Sequence, residues 1–154
     1  RFFKKATAIK SLTPVLALDV ALCYGWIDGQ AKPFDDESWL QRYTPRRAKS
    51  LWSQRNKENV DRLIKSKKMR APGLREIERA KADGRWDAAY QAFSKAQVPD
   101  DFLAELSKDK KALAFFKTLN KTNVYAITWR LQTAVRPETR KKSTVSFTGK
   151  APNS

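Results

Sequence analysis

The chain is 154 residues long, with 32 Lys and Arg against 16 Asp and Glu, one Cys and no His, for a formal charge of +16. Without histidine there is no Ser-His-Asp or Cys-His triad and no His-bound zinc, haem or iron; a single Cys makes neither an internal disulfide nor a Cys-rich metal site. That length suits one domain with its own core, and the charge exceeds the magnitude of about 2 to 8 that keeps a small domain soluble, which points either to a polyanionic partner, DNA, RNA or another polyanion, or to a very saline or acidic setting.

The first clear element opens at Thr13-Pro14, an N-cap followed by Pro at the first helical position. Val15, Leu16, Leu18, Ala21 and Leu22 keep it apolar until Gly25 stops it. Val15 to Tyr24, the longest apolar stretch, is interrupted by Asp19 and is far short of the roughly 20 residues that cross a bilayer. It also lies too far in, and lacks a cleavage site, for a signal peptide. The expectation is a cytoplasmic or nuclear protein with no membrane span. Arg1 in place of an initiating Met points to a longer natural N-terminus.

Trp26–Lys32 and Ser38–Tyr43 change the period. They are rich in aromatic and branched residues and are parted by Pro33-Phe34-Asp35-Asp36, which predicts a small hairpin. Helical spacing returns over Leu51–Lys67, then from Pro72 to about Asp83, where Gly84 ends it. A short helix is expected over Asp87–Phe93, another from Pro99 through Leu106, and one capped by Asp109 through Leu119. After a break at Asn120–Asn123, Val124–Val135 carries Val124, Ile127, Leu131 and Val135 on one stripe. By the same spacing Trp129, Phe115 and Phe116 read as core. The predicted fold class is mainly α, a single compact helical domain over residues 1–142 with a small β-hairpin near 26–43. Residues 143–154 read as a mobile tail.

The charge is uneven. Residues 31–70 hold twelve basic and five acidic side chains and residues 101–154 hold eleven and four, while 71–100 is balanced. The densest run is Arg42 to Lys57, with Arg42, Arg46, Arg47, Lys49, Arg55 and Lys57. Arginine forks grip phosphate in two places, Thr44, Ser50 and Ser53 add donors, and the run leads into a helix N-terminus that favours anions. The competing reading is a solvated basic loop with Trp52 turned inward. A second tract holds Arg136, Arg140, Lys141 and Lys142; short tracts of this kind arise easily in so basic a chain.

A different chemistry is suggested by Gly25-Trp26-Ile27-Asp28-Gly29-Gln30. Trp26, Asp28, Gln30 and Arg42 can line a pocket, with Asp28 as a base if buried. Alternatively the glycines serve a helix end and a turn, and Asp28 sits in a structural ion pair. Cys23, with no base beside it, reads as buried packing. Neither a metal site nor a cofactor is expected.

Ala17–Gln30, Gln41–Arg47 and Trp52-Ser53, with Ala80–Trp86, Leu119-Asn120 and Pro137–Arg140 further on, resemble the YdeI/OmpD-associated (OmdA-like) family. That resemblance implies a link to bacteriocin protection, antimicrobial-peptide resistance and a protein partner, and it brings no catalytic residues. A chain at +16 would not capture a cationic peptide by charge. Three readings therefore stand side by side. One is a non-enzymatic polyanion binder using 42–57 and 136–142, another a small-molecule-binding protein or enzyme around Trp26, and the last a resistance factor acting through a protein partner.

Overall fold

The structure is a computed structural model that describes residues 1–7 and 9–148. Its contacts divide the chain into two compact units, Arg1–Ser50 with Asn56–Ala82, and Leu51–Arg55 with the residues from Asp83 onward.

In the first unit, β1 (Phe2–Phe3), β2 (Trp26–Asp35) and β3 (Ser38–Pro45) form an antiparallel sheet in the order β1-β3-β2. This overturns the mainly α expectation: the fold is mixed, with a three-stranded sheet beside the helices. Two physical features hid it. Pro33 reads as a turn residue, yet it lies within β2, an edge strand that tolerates a missing N–H. Register shifts between Asp28 and Ala31 and between Pro33 and Asp35 also break the alternation that marks a strand. The hairpin turn consequently falls at Asp36-Glu37.

β1 is too short to show a pattern, but side chains fix it. Phe2 pairs with Trp39 in register, and Arg1 donates to Asp35 at 2.6 Å and to the Ser38 hydroxyl at 2.9 Å. The Ser38 hydroxyl in turn donates to Asp35 at 2.6 Å. This bond, ahead of the Glu37 N–H and the Arg1 charge, holds the Asp35 carboxyl below the usual carboxylate range.

Helix α1 (Pro14–Cys23) begins as predicted, with the Leu16 N–H donating to the Thr13 hydroxyl at 3.3 Å, and Gly25 follows at a φ of 76°. Leu18, Leu22 and Cys23 are buried. α2 (Gln54–Lys65), which belongs to this unit from Asn56 on, buries Val60 and Leu63; α3 (Ala71–Ala82) buries Ile77 and Ala80. Against α1, α3 passes so closely at Gly73 that a Cβ there would stand 2.4 Å from the Cys23 carbonyl oxygen. Only glycine permits that approach.

The second unit opens irregularly. Gln54 N–H donates to the Tyr90 carbonyl at 2.9 Å and Tyr90 N–H to the Trp52 carbonyl at 3.0 Å. This bridge keeps Leu51–Ser53 out of the helix predicted for them. It also holds Tyr90 extended, and the short helix expected over 87–93 is a series of turns instead. Trp52, 2% exposed, meets Trp86 edge-on at 4.9 Å.

Four helices follow: α4 (Asp100–Leu106), α5 (Lys110–Thr118), α6 (Lys121–Gln132) and α7 (Pro137–Thr148). Asp109 caps α5 by accepting from Lys111 and Ala112, and Asn120 caps α6 by accepting from Asn123 at 2.9 Å. The expected break at 120–123 therefore narrows to its capping residue. Phe102, Leu106, Ile127 and Leu131 form the core, with Leu113, Phe116 and Phe147 packed around it. Phe115, read as core by spacing, is 67% exposed, and Trp129 lies at the surface. Residues 143–148, expected within a mobile tail, continue α7. The rest of that expected tail lies outside the described residues.

Candidate functional site

Of the predicted anion-binding run, Arg42, Arg46, Arg47, Lys49 and Lys57 belong to the first unit and Arg55 to the second. Arg46 is 6% exposed and its backbone N–H donates to the Gly25 carbonyl at 2.9 Å. It is a fixture of the interior rather than an accessible cation. Arg42, Arg47, Lys49 and Arg55 are exposed and form no ion pair among the described residues. The helix N-terminus expected near Pro45–Trp52 lies instead at Gln54; the Arg47 loop is held by the Arg47 N–H donating to the Ser50 hydroxyl at 2.9 Å.

Lys65, Lys67, Lys68 and Arg70, which sequence reasoning missed as candidates, form a basic turn at the end of α2. Lys68 N–H reaches back to the Leu63 carbonyl at 3.0 Å and Lys67 N–H to the Ile64 carbonyl at 2.9 Å. Lys67 takes a φ of 56° at the position where such turns favour glycine. All four side chains are exposed and without ion pairs among the described residues. The signal was present in the sequence as Lys65-Ser66-Lys67-Lys68-Met69-Arg70.

In the second tract, Arg140 has a structural role. Its guanidinium bonds both oxygens of Asp101 and donates to the Leu131 carbonyl at 2.6 Å. Arg136 and Lys141 are exposed. Lys142 lines a groove of about 430 Å³ between α6 and α7, together with Arg130, Thr139, Ser143, Ser146 and Phe147.

The alternative pocket is assembled in part. Trp26 lines a groove of about 410 Å³ with Tyr24, Tyr43, Val20 and two alanines of α1. Asp28 lies directly across from Tyr43, and its charge adds to the effect of burial in pushing the Tyr43 phenol above its ordinary pKa. Asp28 is itself exposed and makes no ion pair among the described residues, so neither the buried base nor the structural pair is formed. Arg42, one position from Tyr43, falls on the other face of the sheet. Gln30 is exposed within the first bulge. Cys23 is buried, and burial, with Asp19 beside it, pushes its thiol above the ordinary pKa.

Residues 95–148 match the model of the family described as bacteriocin-protection, YdeI or OmpD-associated (OmdA). Residues 1–76 match a different model, described only as a domain of unknown function (DUF8412). Leu119-Asn120 and Pro137–Arg140 thus lie inside the OmdA match, whereas the runs at 17–30 and 41–47 fall in the other. Neither the curated proteins nor the solved structures yield a match, and no helix among the described residues is long and apolar enough to cross a membrane.

Proposed function

We propose that this chain, whose residues 95–148 carry an OmdA-family domain, is a non-enzymatic basic protein that binds nucleic acid or another polyanion, largely through phosphate contacts. The observation that carries the reading is the set of exposed cations in the first unit that form no ion pair among the described residues: Arg42, Arg47 and Lys49 on β3 and the loop after it, and Lys65, Lys67, Lys68 and Arg70 at the end of α2 and the turn after it. Cations at a helix C-terminus also complement its dipole, yet that effect accounts for one or two charges, not four. Lysine and arginine dominate both groups over the Asn and Gln that read base edges, so binding is sequence-independent.

The test is binding to unrelated DNA and RNA across a salt series. Counterion release requires log K to fall with log[salt] by about 0.9 per neutralised phosphate on duplex DNA. A flat plot would sink the proposal.

A second reading, capture of an apolar or aromatic small molecule, is favoured by the groove between α1 and the hairpin, where Tyr24, Trp26 and Tyr43 present their rings. Quenching of Trp26 fluorescence on titration with such ligands, absent in Trp26→Phe, is its test.

A further inference from the structure

The groove between α6 and α7 has a composition unlike the seam of two packed helices. From α7 it is lined by Thr139, Lys142, Ser143 and Ser146, which stand at i, i+3, i+4 and i+7 and so share one face of the helix. An amphipathic helix places apolar side chains in that pattern towards its neighbour. Here the positions hold three hydroxyls and an ammonium. Arg130 faces them from α6, Phe147 adds a ring, and no carboxylate lines the groove. Both cations are without ion pairs among the described residues.

The hydroxyls add a second observation. In a helix, a Ser or Thr hydroxyl either faces outward or returns to a carbonyl one turn back. Thr133 returns to Trp129 at 2.8 Å, and Thr144 to Arg140 at 3.1 Å. Thr139, Ser143 and Ser146 make no such bond among the described residues, and these three are the α7 hydroxyls that line the groove. Their donors are available to a ligand. The wall that carries them is also fixed. Arg140 bonds Asp101 on α4 and the Leu131 carbonyl on α6, while Phe147 meets Phe102 of the core edge-on at 6.4 Å.

We infer that this groove is a binding site for the phosphate ester of a nucleotide. Arg130 and Lys142 neutralise the phosphate, with Arg130 able to grip two oxygens at once. Thr139, Ser143 and Ser146 donate to its remaining oxygens, and the Phe147 ring gives the sugar or base an apolar surface. At about 430 Å³ the groove has room for a group of that size. The inference deepens the polyanion reading and rests on it for its ligand class, since the phosphate is either free, as a mononucleotide, or one unit of a strand.

The experiment is titration of the full chain with AMP, with inorganic phosphate and with a short single-stranded oligonucleotide, at one low salt concentration and followed by NMR shifts and calorimetry. Lys142→Ala is compared with Lys141→Ala, which removes the same charge from the neighbouring residue outside the groove lining. Ser143→Ala with Ser146→Ala removes donors and no charge, with unfolding midpoints showing that each variant is folded.

The expected result is that Lys142→Ala and the double serine variant each weaken AMP about tenfold, as loss of hydrogen bonds to a charged group requires, while Lys141→Ala changes it less than about twofold. AMP binding well above phosphate indicates a free nucleotide. Oligonucleotide binding with the same variant profile, and AMP only at the level of phosphate, assigns the site to a strand. Equal losses from Lys141→Ala and Lys142→Ala, with the serine variant unchanged, overturn the groove while leaving diffuse polyanion binding standing. Salt-insensitive or absent oligonucleotide binding overturns the broader reading, and a groove that still discriminates Lys142 from Lys141 towards AMP would survive it as a free-nucleotide site.

Discussion

Arg140 and Asp101, thirty-nine residues apart, meet in a two-point grip: Nε donates to Oδ2 at 3.0 Å and Nη2 to Oδ1 at 2.7 Å. The remaining Nη1 donates to the Leu131 carbonyl at 2.6 Å. One side chain thereby joins α7 to α4 and to the end of α6. The Arg140 guanidinium holds the Asp101 carboxyl below the usual carboxylate range, against a smaller opposing effect of burial.

The pH consequence has a definite sign. A carboxyl whose folded pKa is depressed stabilises the fold above its unfolded value, about 3.9 for Asp, and that contribution is lost as pH falls through the folded value. Asp101→Asn is expected to be less stable than the parent at neutral pH and to approach it below about pH 4. Urea unfolding at several pH values checks this; a constant difference across the range would contradict it. Because the pair is largely exposed, the neutral-pH cost should be modest, about 1 kcal/mol.

Lys67→Gly should stabilise the fold by about 0.5–1 kcal/mol, because a side chain at positive φ is strained where glycine is not. The same change removes one cation from the basic turn. A higher unfolding midpoint together with a shallower salt dependence of nucleic acid binding is the expected combination. A lower midpoint would show that Lys67 is held by interactions stronger than the strain.

Arg46 and Arg47 are neighbours with opposite fates. Arg46→Ala opens the interior of the first unit and should cost about 2–3 kcal/mol, as truncation of a buried side chain does. Arg47→Ala with Lys49→Ala, both exposed, should leave stability within about 0.5 kcal/mol and reduce the salt slope by up to about 0.9 per lost phosphate contact. Thermal unfolding and a salt series on the two variants separate these effects. Equal slopes in parent and double variant would remove the 47–49 loop from the binding surface.

Cys23 should stay unreactive towards a thiol reagent in the native chain and react fully once urea unfolds it. Burial both blocks access and keeps the thiol protonated. Rapid labelling without denaturant would mean that α1 separates readily from α3.

Two helix starts were readable in the sequence. Thr13 and Asp109 cap as read, because a short side chain that reaches an N–H two or three residues on is a local event, whereas Asn120 caps a helix from inside a stretch that reads as a break. The sheet was half readable. Trp26 and Ser38 begin strands as expected, but Phe2–Phe3 joins only by pairing with residues far along the chain, and Pro33 and the bulges disguise the length of β2. The helix expected at 87–93 failed for a related reason, since Tyr90 is held extended by a contact with Trp52 that spacing cannot reveal. Charge was legible as composition and poorly legible as surface. Nothing local shows that Arg46 is buried or that Arg140 pairs with Asp101, and the stripe Thr139, Lys142, Ser143 and Ser146 was hidden because a Ser/Thr-rich segment without an apolar pattern reads as a tail rather than as α7.

The approach at Gly73 has a bearing on how far this unit can be stretched between relatives. Most helix crossings keep a layer of side chains that can exchange large for small as sequences drift. Here one helix rests its main chain on the carbonyl end of the other, with the Leu22 and Cys23 oxygens 2.6 and 2.4 Å from where a methyl would go. There is no cushion to retune. The crossing distance is set by bare backbone, so α1 and α3 travel as one piece, carrying the Tyr24 rim of the α1 groove with them. Position 73 serves as a gauge: a chain with any side chain there holds these two helices at another spacing, however similar the rest of it reads.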